Sequence, residues 1–188
     1  MSPQKPYMDW KKFKEEKLSE LKKAKANGEV DKEILDLVRA INKKQNYVTS
    51  SSCAGRILLL EGTVKGYAKH YAKWHSLPAK KEIENAVKAY RGKKILWLRV
   101  EPFILHVFAK DLDSAMDFMK RAKNAGVKRG GIQYSKNFYF IEIQGTAGLN
   151  MPINLCKCDF GKVYGIIKRM FVENELRRGI LKKEMAKK

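Results

Sequence analysis

The stretch YVTSSSCAGRILLLEG, residues 47–62, joins small polar residues to a continuous apolar run. Four apolar residues, 57–60, with Gly55 before them and Gly62 after them, are typical of a buried β element. The stretch therefore predicts a pair of strands or one bent strand. Its small residues permit backbone N–H groups and hydroxyls to approach a phosphate or carboxylate closely, with Arg56 as a bidentate partner. The alternative is an ordinary Ser/Gly turn at a strand end.

Further strands are predicted after this stretch. KILWLRV and FILHVFA have the apolar content of buried strands, and Glu101-Pro102 separates them because proline cannot continue a central ladder. GIQYS and NFYFIEIQ predict two more strands. Residues 62–79 combine glycines and lysines with interleaved aromatic residues, which indicates a loop that leads into a helix.

Apolar residues at helical spacing predict the helical regions. These are a basic N-terminal part at 1–46, a helix at 80–90, a helix at 111–125 closed by Gly126, and a basic C-terminal helix at 162–188. The mixed order of helices and strands indicates an α+β fold, in which flanking helices cover a mixed, largely antiparallel sheet. With 188 residues and 44% hydrophobic content, the chain is expected to form a single domain, 1–188. LLLEGTVKG places two glycines after an apolar run but lacks the G-x-G-x-x-G spacing and the P-loop ending, so a classical Rossmann nucleotide-binding fold is not predicted.

The charge of the chain points to a polyanionic partner. Forty Lys and Arg residues against 20 Asp and Glu give a net charge of +20, and such a field attracts nucleic acid. A lysine-rich surface of a heat-adapted protein is the alternative. No segment reaches about 18 uninterrupted apolar residues, and the N-terminus has no secretory pattern, so we expect a cytoplasmic protein without a membrane partner. No feature of the sequence specifies an oligomeric state.

Histidine and cysteine residues are few. His70, His75 and His106 could form a metal site with Cys53, but their spacing fits no zinc motif. We therefore expect no metal. A metal-dependent nucleic-acid enzyme that uses His75, His106 and Cys53 remains an alternative. The three cysteines are an odd number without disulfide spacing, which favours reduced thiols.

Two histidines have different surroundings in the sequence. His106 lies inside the apolar FILHVFA segment, where a buried histidine bonded to backbone is the ordinary outcome. His75 follows Trp74 in the predicted lysine-rich loop. An extruded base can stack on Trp74 while His75 handles a proton. The alternative is a loop tryptophan that caps the core.

Five segments of the chain occur in the order seen in one known family. They are SSCAGRILLLEG at 51–62, KWH at 73–75, EPFILHV at 101–107, AGVKRGGI at 125–132 and EIQGTAGLNMPI at 142–153. In these segments the chain resembles the archaeal branch of the tRNA wybutosine-synthesizing protein 3 family. Two positions depart from the family pattern, because Ala54 and Gly130 stand where related chains often carry serine.

The resemblance implies an S-adenosylmethionine-dependent tRNA methyltransferase without the usual glycine-rich methyltransferase signature. Its substrate would be the tricyclic wyosine precursor made from the guanosine 3′ of the anticodon of phenylalanine tRNA, methylated on N-4. Its partner would be the anticodon arm of that tRNA. A non-catalytic basic RNA-binding protein is the alternative from another class.

The resemblance also implies roles for particular residues. Trp74 and Trp97 are the candidates to stack on the target base, and His75 would accept the proton or contact the base edge. Glu101 would contact a ribose or amino group, or would instead cap a turn before Pro102. Residues implied to bind the cofactor or the substrate are Ser51, Ser52, Cys53, Gly55, Arg56, Trp97, Glu101, His106, Arg129 and Thr146. The serine-rich stretch would meet either the carboxylate of the cofactor or a tRNA phosphate, and both possibilities stay open.

Overall fold

The computed structural model describes residues 9–62, 68–135 and 137–187. The chain divides into two compact units. Unit 1 comprises the chain up to Cys53, Ile104–Gln144 and the chain from Arg177 onward, and unit 2 comprises Ala54–Phe103 and Gly145–Leu176. The single domain predicted from the sequence stays a prediction.

The helices and strands alternate between the two units along the chain. Those of unit 1 are α1 (Trp10–Ala26), α2 (Leu35–Asn42), β1 (Tyr47–Cys53), β5 (Ile104–Ala109), α4 (Leu112–Asn124), β6 (Arg129–Ser135) and β7 (Phe138–Gln144). Those of unit 2 are β2 (Arg56–Glu61), β3 (Lys69–Trp74), α3 (Lys80–Ala89), β4 (Leu96–Glu101) and β8 (Leu149–Pro152). A last helix, α5 (Phe160–Ala186), contributes residues to both units.

The sheet of unit 1 has four antiparallel strands in the order β1-β5-β7-β6. Strand alternation places buried residues such as Val107 and Ile141 on the face that packs against Phe118 of α4. At one end of the other face, Phe13 of α1 packs against Phe108 and Phe138, with ring centroids 4.9 and 4.8 Å apart. The remainder of that face carries polar side chains such as His106 and Glu142 together with Ile104 and Phe140.

The sheet of unit 2 also has four antiparallel strands, in the order β3-β2-β4-β8. Its core contains Ile57 and Leu59 of β2, Leu98 of β4 and Ile83 of α3, all fully buried. The N-terminal part of α5 adds Ile167 to the same cluster. The apolar run of the opening stretch is therefore the centre of this core.

The α+β fold with antiparallel pairing is confirmed, although the strands form two sheets rather than one. The stretch at 47–62 becomes two strands, of which β1 belongs to unit 1 and β2 to unit 2. Gly55 between them has a φ of +96°, and a Cβ there would lie 2.8 Å from the backbone oxygen of Glu101. Only glycine satisfies both conditions without strain.

One prediction for this part of the chain was wrong. Lys69–Trp74, expected in a loop, forms β3 and pairs with β2. Ala72 and Trp74 pack against the core while Tyr71 and Lys73 are exposed, the alternation of an edge strand. Its lysines lie on the exposed side. Residues 63–67 of the predicted loop lie outside the described residues. None of the helices in the described parts of the chain has the length and apolar content to cross a membrane.

Candidate active site

A row of hydrogen-bonded side chains crosses the open face of the sheet in unit 1. Ser51 Oγ lies 2.5 Å from His106 Nδ1, and His106 Nε2 lies 2.9 Å from Glu142 Oε2. The three residues come from the neighbouring strands β1, β5 and β7. Ser51 is exposed, and the side chains of His106 and Glu142 are 25% and 59% exposed. The row is therefore accessible to a ligand.

Local backbone geometry brings Ser51 to the histidine. The register of β1 on β5 shifts between Thr49 and Ser52, and Ser51 lies in this irregularity. A β-bulge changes the direction of a side chain in this way, and bulges are common beside active sites. The Phe140 ring lies 5.2 Å from the His106 ring and restricts its orientation. The bulge and the ring together position the Ser51–His106 pair.

The chemistry of the row determines where its protons lie. An ionised carboxylate only accepts hydrogen bonds, so His106 Nε2–H donates to Glu142. In the neutral ring Nδ1 is then an acceptor, and the Ser51 hydroxyl donates to it. The expectation that His106 bonds to backbone was wrong, because both ring nitrogens contact side chains. The arrangement can move a proton from Ser51 to the ring.

The neighbouring strand β6 leaves this face open beside the row. Gly131 pairs with Glu142, and a Cβ at Gly131 would have no atom within 4 Å. Arg129 lies two residues earlier, on the same face as Glu142, and its side chain is exposed. Of the residues predicted from the sequence, the structure thus places Ser51, His106 and Arg129 on one face of one sheet.

A cavity of about 380 Å³ lies beside the serines of β1 in unit 1. It is lined by Glu20, Leu21, Ala24, Glu29, Val30, Val38, Ser50, Ser51 and Ser52. The Ser52 hydroxyl is buried and has no hydrogen-bond partner among the described residues. A buried polar atom without a partner costs free energy. Cys53 is half-buried at the end of β1, where it pairs with Ile104.

In unit 2, Arg56 and Glu101 form a cross-strand ion pair. Their Nε and Oε2 atoms are 2.6 Å apart, and each side chain is about one-third exposed (34% and 32%). Arg56 is thus already engaged by a carboxylate, and an anionic ligand would compete with Glu101 for it. Its predicted contact with a phosphate or carboxylate stays a prediction.

The aromatic pair predicted near the target base lies at the end of β3. Trp74 is half-buried against the core of unit 2, and its Nε1–H donates to Glu82 Oε1 over 2.6 Å. This geometry favours the alternative, a tryptophan that caps the core. His75 follows Trp74 and is half-buried. The stacking role of Trp74 and the proton role of His75 stay predictions.

Trp97 and Thr146 lie in different surroundings of unit 2. Trp97 is half-buried on β4, and its indole N–H is buried with no hydrogen-bond partner among the described residues. Thr146 is exposed in the segment before β8. The sequence reasoning missed Asn174, a buried residue whose amide donates to Ala147 O over 2.7 Å and holds that segment.

A second cavity in unit 1 has a cationic wall. It has a volume of about 620 Å³ and is lined by Asp36, Arg39, Ala40, Lys43, Lys44, Lys182, Met185 and Ala186. Asp36 accepts hydrogen bonds from Lys182 over 2.8 Å and from Arg39 over 3.0 Å. The bond from Lys182 lowers the pKa of the Asp36 carboxyl. Four cations and one carboxylate leave the wall with net positive charge. No three His, Cys, Asp or Glu side chains in the described ranges come together as a metal site.

Comparison with known proteins assigns the chain to a class of enzymes. Residues 12–187 match the family described as Methyltransferase TYW3. The chain is 34% identical over 149 residues to the tRNA(Phe) 7-((3-amino-3-carboxypropyl)-4-demethylwyosine(37)-N(4))-methyltransferase of Archaeoglobus fulgidus, covering 78% of this chain and 74% of that protein. It is 35% identical over 147 residues to enzyme 1 of the same name from Pyrococcus horikoshii, covering 76% and 74%. The chain is a methyltransferase. It belongs to the methyltransferase TYW3 family, as its sequence motifs predicted.

A solved structure supports this assignment. The structure of PH1069 protein from Pyrococcus horikoshii superposes with a TM-score of 0.86 and 30% identity, covering 94% of this chain and 95% of that one. The similarity extends over both units rather than over one of them.

Proposed function

We propose that this protein transfers a methyl group from S-adenosylmethionine to N-4 of the tricyclic wyosine precursor at the guanosine 3′ of the anticodon of tRNA(Phe). The observation that carries the proposal is the match to relatives named for this N(4) methylation, over about three-quarters of each chain. We place the reaction in the cytoplasm and the contact with the substrate on the anticodon arm.

The cavity beside Ser50–Ser52 fits the cofactor. S-adenosylmethionine has hydroxyl and ammonium groups that need hydrogen-bond acceptors, and Glu20 and Glu29 are among the residues that line the cavity. Leu21 and Val38 supply apolar wall for its adenine. The two carboxylates would repel a phosphate but attract the ammonium and sulfonium charges of S-adenosylmethionine, so we assign the cofactor to this wall through its cationic groups rather than through its carboxylate. When bound, S-adenosylmethionine supplies an electrophilic methyl group on a positively charged sulfur.

The residues beside this cavity suit the proton transfer that the reaction needs. The substrate nitrogen must lose one proton if it is to be neutral after it gains a methyl group. Ser51 lines the cavity and donates its own proton toward His106 Nδ1. Its oxygen can then accept the proton of the substrate nitrogen. Ser51 and His106 would therefore act together as the proton acceptor, while the cavity walls position the reactants.

The cationic cavity suits the tRNA backbone. Lys43, Lys44, Arg39 and Lys182 line one wall, and the net charge of +20 gives the protein a field that attracts RNA. Lysine and arginine side chains that neutralise phosphates supply most of the sequence-independent affinity for nucleic acid. We assign phosphate contacts to this wall.

A methyl-transfer assay tests the proposal. Purified protein and S-adenosylmethionine with an isotope-labelled methyl group are mixed with tRNA(Phe) that carries the unmethylated tricyclic precursor. We expect one labelled methyl group per tRNA, located on N-4 by mass spectrometry of the nucleoside. The matched control is tRNA(Phe) with unmodified guanosine. Binding of both tRNAs without any transfer would instead favour the non-catalytic RNA-binding alternative.

A further inference from the structure

We propose that Glu142 is a positioning residue that holds His106 in the ring form able to take a proton from Ser51. The kinetic consequence rests on the proposed function, whereas the ring form itself can be measured without it. Glu142 belongs to none of the residues that the sequence motifs implied for the site. The contact between Glu142 and His106 results from the register of β7 on β5, which places the two residues directly opposite each other.

A neutral imidazole ring exists in two forms. Either Nδ1 or Nε2 carries the hydrogen, and the partner of one nitrogen determines the role of the other. Glu142 Oε2 lies 2.9 Å from Nε2 and can only accept, which places the hydrogen on Nε2. Nδ1, 2.5 Å from Ser51 Oγ, is left with its lone pair toward the hydroxyl. In the other form an N–H would face Ser51 and transfer toward the ring would be blocked.

The transfer balances with these groups alone. As the N–CH₃ bond of the substrate forms and the C–S bond of the methyl donor breaks, the N–H proton passes to Ser51 Oγ. The original hydroxyl proton of Ser51 passes to His106 Nδ1. The positive charge that the sulfur loses is then on the imidazolium, beside the Glu142 carboxylate. Glu142 thus fixes the starting form of the ring and stabilises its charged product.

The surroundings of Glu142 determine how much its replacement should slow methyl transfer. Its side chain is 59% exposed, so water screens its charge. A carboxylate in a buried serine-protease triad contributes about 10⁴-fold, and a half-exposed one should contribute much less. The residue opposite Glu142 on β6 is Gly131, which has open space where a Cβ would lie. Gly131 therefore offers no side chain that could bond to His106 in place of Glu142. We expect the loss of Glu142 to slow methyl transfer by about 10-fold.

The test compares Glu142→Gln with Glu142→Asp and with the matched control Glu16→Gln, an exposed glutamate on α1. Glutamine keeps the shape but removes the charge, and because its amide can donate to Nε2 as well as accept from it, the side chain no longer enforces hydrogen on Nε2. Single-turnover rates at saturating S-adenosylmethionine and precursor tRNA are measured for each protein. In parallel, ¹⁵N NMR of the imidazole nitrogens reports the ring form. The chain has only three histidines, and a His106→Gln spectrum assigns the signal of His106.

We expect the wild-type His106 signal to show hydrogen on Nε2, and Glu142→Gln to move it toward hydrogen on Nδ1. The rate should fall about 10-fold for Gln and less for Asp, with unchanged affinity for S-adenosylmethionine because Glu142 does not line the cavity. Hydrogen on Nδ1 of His106 in the wild-type protein would overturn the inference, as would a Glu142→Gln rate equal to that of Glu16→Gln. If the wild-type protein transfers no methyl group, the proposed function fails, and the NMR result still decides the role of Glu142.

Discussion

The two units build similar sheets and use their polar side chains differently. In unit 1, Ser51 and Glu142 bond to opposite nitrogens of His106 on an open face. In unit 2, the predicted residues Arg56 and Trp74 each donate to a carboxylate, Glu101 and Glu82, over 2.6 Å. A histidine between a hydroxyl and a carboxylate can exchange protons. An indole or a guanidinium that donates to a carboxylate holds its position and exchanges none.

In the proposed mechanism, this difference assigns proton transfer to Ser51 and His106 and a structural role to Arg56 and Trp74, although the sequence motifs name all four together. Both sets include partly buried, hydrogen-bonded groups, and neither burial nor motif membership distinguishes them. The distinction follows from which atoms are donors and which are acceptors. It predicts that substitutions in unit 1 lower the rate of methyl transfer, whereas substitutions at Trp74 lower stability.

The largest expected effect is a loss of methylation rate when His106, but not His75, is replaced. His106→Ala should slow single-turnover methylation by about 10²–10⁴-fold, because it removes the proposed proton acceptor while the partly exposed position lets the sheet keep its fold. His75→Ala should leave the rate per folded molecule close to that of the wild type. Rapid-quench measurements on both variants check this, with thermal melting as the control for folding. The reverse pattern would return the catalytic role to His75, as the resemblance implied.

Trp74 provides the corresponding test in unit 2. Trp74→Ala should lower the free energy of unfolding by about 2 kcal/mol, less than the roughly 3–5 kcal/mol of a fully buried aromatic residue, since it is half-buried. Trp74→Phe keeps most of the packing and loses the bond to Glu82, which should cost about 1 kcal/mol. Urea denaturation measures both. A fall in affinity for precursor tRNA with unchanged stability would instead show that the ring stacks on a base.

Much of the fold could be predicted from local patterns. The helix at 111–125 and the strand in NFYFIEIQ appear in the structure as α4 and β7, because periodicity and capping signals are local. The division into two sheets could not be predicted, since strand pairing joins residues far apart in the sequence. β3 was missed because the outward lysines of an edge strand resemble those of a loop.

Individual residues of the candidate site could be predicted from the sequence, but the contacts between them could not. Ser51 and His106 were both named from the sequence, but their contact depends on the shift in register within β1. Glu142 was missed because a glutamate in a half-exposed strand is what alternation alone predicts. The signal that could have found it is the pairing of FILHVFA with NFYFIEIQ, which aligns His106 with Glu142. The roles of His75, Trp74, Arg56 and Thr146 stay predictions.

The cationic wall of unit 1 is expected to contribute to tRNA affinity rather than to the rate of methyl transfer. In the double variant Lys43→Gln, Lys44→Gln, the plot of log affinity against log salt should become shallower by about 0.7–0.9 for each phosphate that the wall no longer neutralises. The single-turnover rate at saturating tRNA should not change. Lys128→Gln is the control, because Lys128 is exposed but does not line this cavity. Fluorescence titration over a range of salt concentrations measures the slope, and equal slopes for all three proteins would exclude the wall as a phosphate-binding surface.

The smallest expected effects concern the helix caps, which also differ between the units. In unit 1, Asp111 caps α4 by accepting from the Ser114 N–H over 2.8 Å, whereas Ala79 before α3 of unit 2 makes no side-chain cap. Asp111→Ala should lower the free energy of unfolding by about 1 kcal/mol at pH 7.

The effect of Asp111 should depend on pH. Hydrogen bonds from Ser114 lower the pKa of Asp111, so its stabilisation is present above the unfolded pKa of about 3.9 and is lost as the pH falls through the folded value. The stabilities of the wild type and Asp111→Ala should therefore converge as the pH falls below the folded pKa of Asp111. Ala79→Ser should add about 0.5 kcal/mol, since the backbone of Ala79 already has the extended conformation of an N-cap residue. The gain should not vary with pH because serine does not titrate. Chemical denaturation at several pH values measures all three proteins, and a pH-independent loss in Asp111→Ala would show that packing, rather than the charged cap, stabilises α4.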